Sequence, residues 1–153
     1  MRALVFSDSH GQTRPMLDAV DLYHPDVVFH LGDVVRDGEV VKAAFPKLPF
    51  YQVRGNCDLY RDECPLESVA RLEGKTVFYL HGHTQYVKAG LTHAVAAAQA
   101  VEADLLLYGH THVPMEARYD RLLAVNPGAI QDGRCALLTW EGDGEIARLP
   151  LSL

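Results

Sequence analysis

Five short apolar runs in this chain each stop at residues that can hold a metal. Ala3 to Phe6 gives way to Ser7–Asp8–Ser9–His10–Gly11, and Val27 to Leu31 gives way to Gly32–Asp33. Phe50 to Val53 is followed by Arg54–Gly55–Asn56–Cys57–Asp58, and Lys75 to Leu80 by His81–Gly82–His83. Asp104 to Tyr108 ends at Gly109–His110–Thr111–His112. Apolar runs this short, bounded by turn residues, read as buried strands. In α/β folds, ligands bind in the loops beyond the carboxyl ends of the strands. Taken singly, each loop has a plainer reading: a turn, an N-cap, a solvated histidine. All five in the same register place polar groups from five loops where they can meet.

Helical patterns separate the runs. Thr13 near an N-cap and Pro15 in the first turn open a helix whose buried face includes Leu17, Val20 and Leu22. Residues from Gly38 to Phe45 read as a second helix, stopped by Pro46. The alanine-rich stretch from Val87 to Val101 reads as a third. Leu59 to Leu66 is polar, contains Pro65 and reads as a surface loop. Later segments read as β-structure. Leu122 to Val125 runs into the turn Asn126–Pro127–Gly128, and Cys135 to Trp140 faces Glu145 to Leu149 across a Gly-rich hairpin turn. Strand–helix alternation followed by antiparallel strands predicts a layered α/β architecture with a largely parallel sheet. The 153 residues, with no linker or repeat, are expected to form one domain spanning 1–153.

A net charge of -6 and a pI near 5.7 weigh against a protein that tracks a long nucleic-acid backbone. The three cysteines, Cys57, Cys64 and Cys135, are odd in number and irregularly spaced, unlike a secreted disulfide framework. The first apolar run is too short for a signal-peptide core or a membrane span, so no membrane association is expected and the cytoplasm is the expected location.

The donor set is mixed. Asp8, His10, Asp33, Asn56, His81, His110 and His112 combine oxygen and nitrogen, which suits Mn, Fe, Co, Ni or Zn rather than Ca or Mg. With two divalent ions, two carboxylates and one hydroxide, the site carries a net charge of about +1. Such a site attracts a phosphate ester even on an acidic protein.

Taken in this order, Asp8–x–His10, Gly32–Asp33, Gly55–Asn56, His81–Gly82–His83 and Gly109–His110–x–His112 resemble the calcineurin-like metallophosphoesterases, most nearly the small YfcE-type phosphodiesterases. The resemblance runs from Asp8 to about Gly128. It implies a layered metallophosphoesterase fold of two packed mixed β-sheets flanked by helices. It also implies two divalent transition-metal ions, manganese first among them. One ion is expected on Asp8, His10, Asp33 and His112, the other on Asp33, Asn56, His81 and His110, with Asp33 shared. The activity implied is hydrolysis of small phosphate esters, diesters above all, by in-line attack of an activated hydroxide. A homodimer or higher homo-oligomer is the assembly implied.

The chain departs from much of that family at Cys57, where a histidine usually follows the asparagine. A thiol with an ordinary pKa of ~8.5 can in principle donate a proton, although a small half-buried thiol is the plainer reading. Asp33, Asn56, Cys57 and Asp58 are thus the catalytic candidates, and good leaving groups are the expected preference. His83 is read as either a substrate contact or a support for the site. His30 is read as a core or supporting histidine. Two rival readings are a scaffold of the retromer-subunit type with little or no chemistry, and a phosphomonoesterase.

Overall fold

The computed structural model describes all 153 residues, Met1–Leu153. Its elements are β1 (Arg2–Phe6), α1 (Thr13–Tyr23), β2 (Val27–His30), α2 (Val35–Ala44), β3 (Phe50–Gln52), β4 (Glu67–Leu72), β5 (Lys75–Leu80), α3 (Thr92–Ala100), β6 (Leu105–Leu107), β7 (Met115–Tyr119), β8 (Leu122–Asn126), β9 (Arg134–Thr139) and β10 (Ala147–Ser152). Short 3-10 turns occupy His83–Gln85 and Ile130–Asp132. The strands form two five-stranded mixed sheets, ordered β10-β9-β1-β2-β3 and β4-β5-β6-β8-β7.

Side chains alternate across a strand, and here both faces are covered. Ala3, Val5, Val27 and Phe29 of the first sheet meet Val77, Tyr79, Leu105, Leu107 and Val125 of the second. Leu4, Phe6 and Val28 point the other way, onto Met16, Ala19, Val20 and Val41 of α1 and α2. Phe78, Leu80 and Leu106 pack on Ala94, Val95 and Ala98 of α3. Burial on both faces explains why these strands read as continuous apolar runs. Phe29 is fully buried, stacks on Tyr51 and meets the edge of Tyr79, so it joins the two sheets. Truncation of such a side chain to alanine costs about 3–5 kcal/mol.

Several boundaries differ from the sequence reading. The third helix begins at Thr92 rather than Val87, because Gly90 (φ +145°) and Tyr86 (φ +55°) turn the chain in the left-handed region first. α2 begins at Val35, three residues before Gly38. In α1 the buried stripe is Met16, Ala19 and Val20, and Leu22, off that stripe, is exposed. β4 follows the expected loop and pairs antiparallel with β5 through Glu73–Gly74, both at positive φ, as a two-residue hairpin turn requires. Pro150 lies in β10, an edge strand, where a missing N–H is tolerated.

β1, β2 and β3 run parallel in one sheet, and β5, β6 and β8 run parallel in the other. The loops that follow β1, β2, β5 and β6 meet at one rim of the sandwich. Main-chain bonds join them there: Asp8 N–H donates to Gly32 O at 3.0 Å, and Gly109 N–H donates to His81 O at 2.9 Å.

Candidate metal centre

Two glycines let the loops touch. A Cβ on Gly55 would lie 2.0 Å from Asp33 Oδ1, and one on Gly109 would lie 2.0 Å from Ser7 Oγ. Neither contact is physically attainable, so any side chain at these positions would force the loops apart. Five of the expected ligands, Asp8, His10, Asp33, His110 and His112, sit at φ between 42° and 67°. Non-glycine residues rarely adopt this region, and such strain gathers at functional sites held by the surrounding structure.

Each of the two carboxylates is anchored by one oxygen and offers the other. Asp8 Oδ2 accepts from Ser7 Oγ at 2.6 Å and from the His110 N–H at 3.1 Å. Asp8 Oδ1 faces His112 Nε2 at 3.1 Å and His81 Nε2 at 3.8 Å. Asp33 Oδ1 accepts from the Cys57 N–H at 2.9 Å. Asp33 Oδ2 faces His81 Nε2 at 3.5 Å and His10 Nε2 at 3.9 Å. Asp8, His10 and His112 offer ligand atoms all within 4.8 Å of one another, and so do Asp8, Asp33 and His81. Asp8 therefore belongs to both groups, where the family pattern gives the shared place to Asp33.

A hydrogen bond fixes what His81 can do. Its Nδ1 lies 2.8 Å from the Leu31 carbonyl oxygen, so Nδ1 carries the proton and Nε2 is a bare lone pair. That lone pair faces Asn56 Oδ1 at 3.0 Å and His110 Nδ1 at 3.1 Å, with the two aspartates just beyond. Acceptors turned on one another call for a cation, and the mixed oxygen and nitrogen set fits a divalent transition metal.

Burial pushes the His110 imidazole down to about 4, which keeps it uncharged at neutral pH. Burial alone would raise the Asp33 carboxyl, but the hydrogen bond from the Cys57 N–H helps hold it below the ordinary carboxylate value.

All seven expected ligands come together at this rim. Two catalytic candidates take other places. Asp58 is buried, and its oxygens accept from the backbone N–H groups of Asp33 (2.9 Å), Val35 (2.7 Å) and Gly55 (2.8 Å). It clamps the Asp33 loop to the Asn56 loop, and both its oxygens are engaged by main-chain donors. The Cys57 thiol is pushed up to about 11 by desolvation and then by Asp33, which makes it a poor acid at neutral pH. Its backbone N–H holds Asp33 instead.

His83 lies beside His81 and His110, with ring centroids 5.5 Å and 6.1 Å away. Its buried Nδ1 has no partner. His30 is buried against Ser9 Oγ at 3.1 Å, and burial pushes it down to about 4. Ser9 Oγ and the Gly11 N–H both donate to Asp37 Oδ2 at 2.7 Å. Arg54 pairs with Asp62, and Arg61 pairs with Glu39 and Glu63. The sequence reading missed Ser7, Asp37 and Gln131. Only the position of Ser7 beside Asp8 offered a local signal.

A family model described as the calcineurin-like phosphoesterase superfamily domain matches residues 1–139. The chain is 29% identical over 160 residues to the probable metallophosphoesterase YsnB of Bacillus subtilis (strain 168), covering 97% of this chain and 89% of that one. Two solved structures share the fold. One is an archaeal phosphodiesterase, with TM-score 0.76, 21% identity and coverage of 99% and 100%. The other is Entamoeba histolytica Vps29 complexed with zinc, with TM-score 0.76, 17% identity and coverage of 99% of each chain. The chain belongs to the calcineurin-like phosphoesterase superfamily, a family of metal-binding phosphoesterases. No helix is long and apolar enough to cross a membrane.

Proposed function

We propose that the chain hydrolyses small phosphodiesters at a centre of two divalent transition-metal ions, manganese first among them. The observation that carries this reading is the bare Nε2 of His81, facing Asn56, His110 and the free oxygens of Asp8 and Asp33. Two ions bound there would lower the pKa of a coordinated water and neutralise charge developing on the phosphoryl oxygens. The side chains have distinct tasks. Asp8 and Asp33 each turn one anchored carboxylate to the centre, and His10, Asn56, His81, His110 and His112 complete the two coordination sets. The half-exposed rim formed by His10, His83, His110 and His112 is open to a small ester.

The preference for diesters rests on charge. A monoester dianion favours a free guanidinium clamp, but Arg54 and Arg61, the cations flanking the Asn56 loop, are already paired with carboxylates. A diester carries a single charge and needs less compensation. Likeness of fold to an archaeal phosphodiesterase agrees with this preference.

The test is turnover of activated aryl phosphodiesters and monoesters by purified protein with Mn²⁺, beside an Asp33→Ala control. Diester turnover well above the control and faster than monoester turnover is expected. No turnover above the control would favour a scaffold role, which the likeness of fold to Vps29 also accommodates.

A further inference from the structure

His10 is the exposed member of the Asp8–His10–His112 group. The closest carboxylate oxygen, Asp33 Oδ2, is 3.9 Å from its Nε2, beyond hydrogen-bond reach. Where the ring points therefore depends on its backbone, and that backbone is strained: His10 sits at φ +43°. A non-glycine residue stays in the left-handed region only where its surroundings over-determine it.

Asp37 supplies that constraint. It is buried in the first turn of α2, 28 residues from Ser9 in sequence. One of its oxygens, Oδ2, accepts from Ser9 Oγ and from the Gly11 N–H, both at 2.7 Å. The residues on either side of His10 are thus tied to a single atom. A carboxylate is costly to bury unless it is hydrogen-bonded, and both of these compensating contacts lie on the His10 loop.

The network continues inward with every donor matched. The Ser9 hydroxyl has one proton, which it gives to Asp37, so it accepts from His30 Nε2–H at 3.1 Å. His30 Nδ1 then faces two donors, the Gly32 N–H and the Gln52 side-chain amide, each at 3.4 Å. The His10 loop is fastened through Asp37 to α2 and through His30 to β2 and β3.

We infer that Asp37 is the positioning residue of His10. Its carboxylate fixes the backbone from Ser9 to Gly11 and so presents the imidazole to an ion shared with Asp8 and His112. This rests on the two-ion reading above.

Two measurements test it, on Asp37→Leu, which cannot accept, and on Asp37→Asn, whose side-chain oxygen still can. In ion-free protein, hydrogen exchange at the Gly11 amide should be at least about tenfold faster in Asp37→Leu, the loss of one charged hydrogen bond, and close to wild type in Asp37→Asn. Titration of Mn²⁺ should find one ion bound about 10- to 100-fold more weakly in Asp37→Leu and the other as before. Asp37→Asn should bind both normally. Ser9→Ala removes one of the two bonds and should weaken the same ion by less; it carries the test if Asp37→Leu does not fold. The inference is overturned if the non-accepting variants bind both ions normally, if both ions weaken alike, or if Asp37→Asn behaves like Asp37→Leu. Wild-type protein that took up no ions would sink the two-ion reading alone, and exchange at Gly11 would still decide whether Asp37 holds the loop.

Discussion

The two halves of the candidate metal centre are built from different materials. On one side Asp8, Asp33 and His81 are all buried. His81 is held by the Leu31 carbonyl, and the Asp33 main chain is clamped by Asp58. On the other side His10 is exposed and His112 half-buried. Side chains support that half: Gln131 meets His112, and Asp37 holds Ser9 and Gly11 on either side of His10. The first half is part of the sandwich interior; the second is laid on its surface. Buried, pre-positioned ligands lose little freedom when they bind, whereas exposed ones must be ordered. Under the two-ion reading, unequal affinities are expected from that contrast.

The sharpest way to break the comparison is to remove one histidine from each half. His81→Ala should abolish measurable diester turnover and reduce uptake to less than one ion per chain. His112→Ala should keep the inner ion and lose about 10²–10³ in kcat. Equal losses in both variants, read by metal analysis and kinetics together, would mean that the halves do not differ.

Asp58→Ala comes next. It leaves three buried N–H groups without their charged acceptor, and a hydrogen bond to a charged group contributes about 1.5–3 kcal/mol. A loss of about 3 kcal/mol in urea unfolding is expected, with turnover falling although both Asp58 oxygens are engaged by the main chain. Stability equal to wild type would remove its role as the clamp of the inner half.

Acid should act through the support under the outer half. The folded His30 imidazole takes a proton only near about 4, against an ordinary value of 6.5. The unfolded chain therefore binds more protons between these values, and stability falls as pH drops from about 6.5 to about 4. The loss amounts to at most about 3 kcal/mol. A His30→Gln variant should show a flatter acid limb in unfolding experiments, whatever its stability at pH 7. An unchanged acid limb would exclude His30 as its source.

The smallest effect is expected at His83. His83→Ala should raise KM for a diester by about tenfold, the worth of one hydrogen bond to an anionic oxygen, and leave kcat and ion content nearly unchanged. An unaltered KM would leave His83 no part in substrate contact.

Much of the inner half was legible in the sequence, because a strand end is a local event. Val27 to Leu31 followed by Gly32–Asp33, and Lys75 to Leu80 followed by His81, announce both the strand and the ligand. Sequence order could not give the supports of the outer half. Gln131 and His112 are 19 residues apart, and Asp37 and Ser9 are 28 apart; each pair is joined only by packing. Asp58 looked chemical because it follows Asn56, yet its carboxylate is turned onto main-chain donors. The helix start at Thr92 was missed for a backbone reason. Alanine richness favours a helix over the whole stretch, but the left-handed turn at Tyr86 and Gly90 delays it. β4 was not legible because Glu67–Leu72 is a largely exposed edge strand rather than an apolar run, and Glu73–Gly74 is a weaker hairpin signal than Asn-Gly or Asp-Gly.

The missing side chains at positions 55 and 109 also limit how this molecule can change its tastes. With the Asp33 carboxylate and the Ser7 hydroxyl already against those backbones, the floor of the cleft has no room for new groups. Novel selectivity in a variant would have to be written around the opening instead. The stretches from Leu59 to Leu66 and from Tyr86 to Gly90 follow the Asn56 and His83 loops directly in sequence, and both display exposed aromatic or aliphatic side chains such as Tyr60 and Tyr86. Libraries aimed at those stretches should yield altered preferences, while those aimed at the two glycines should yield mostly inert protein.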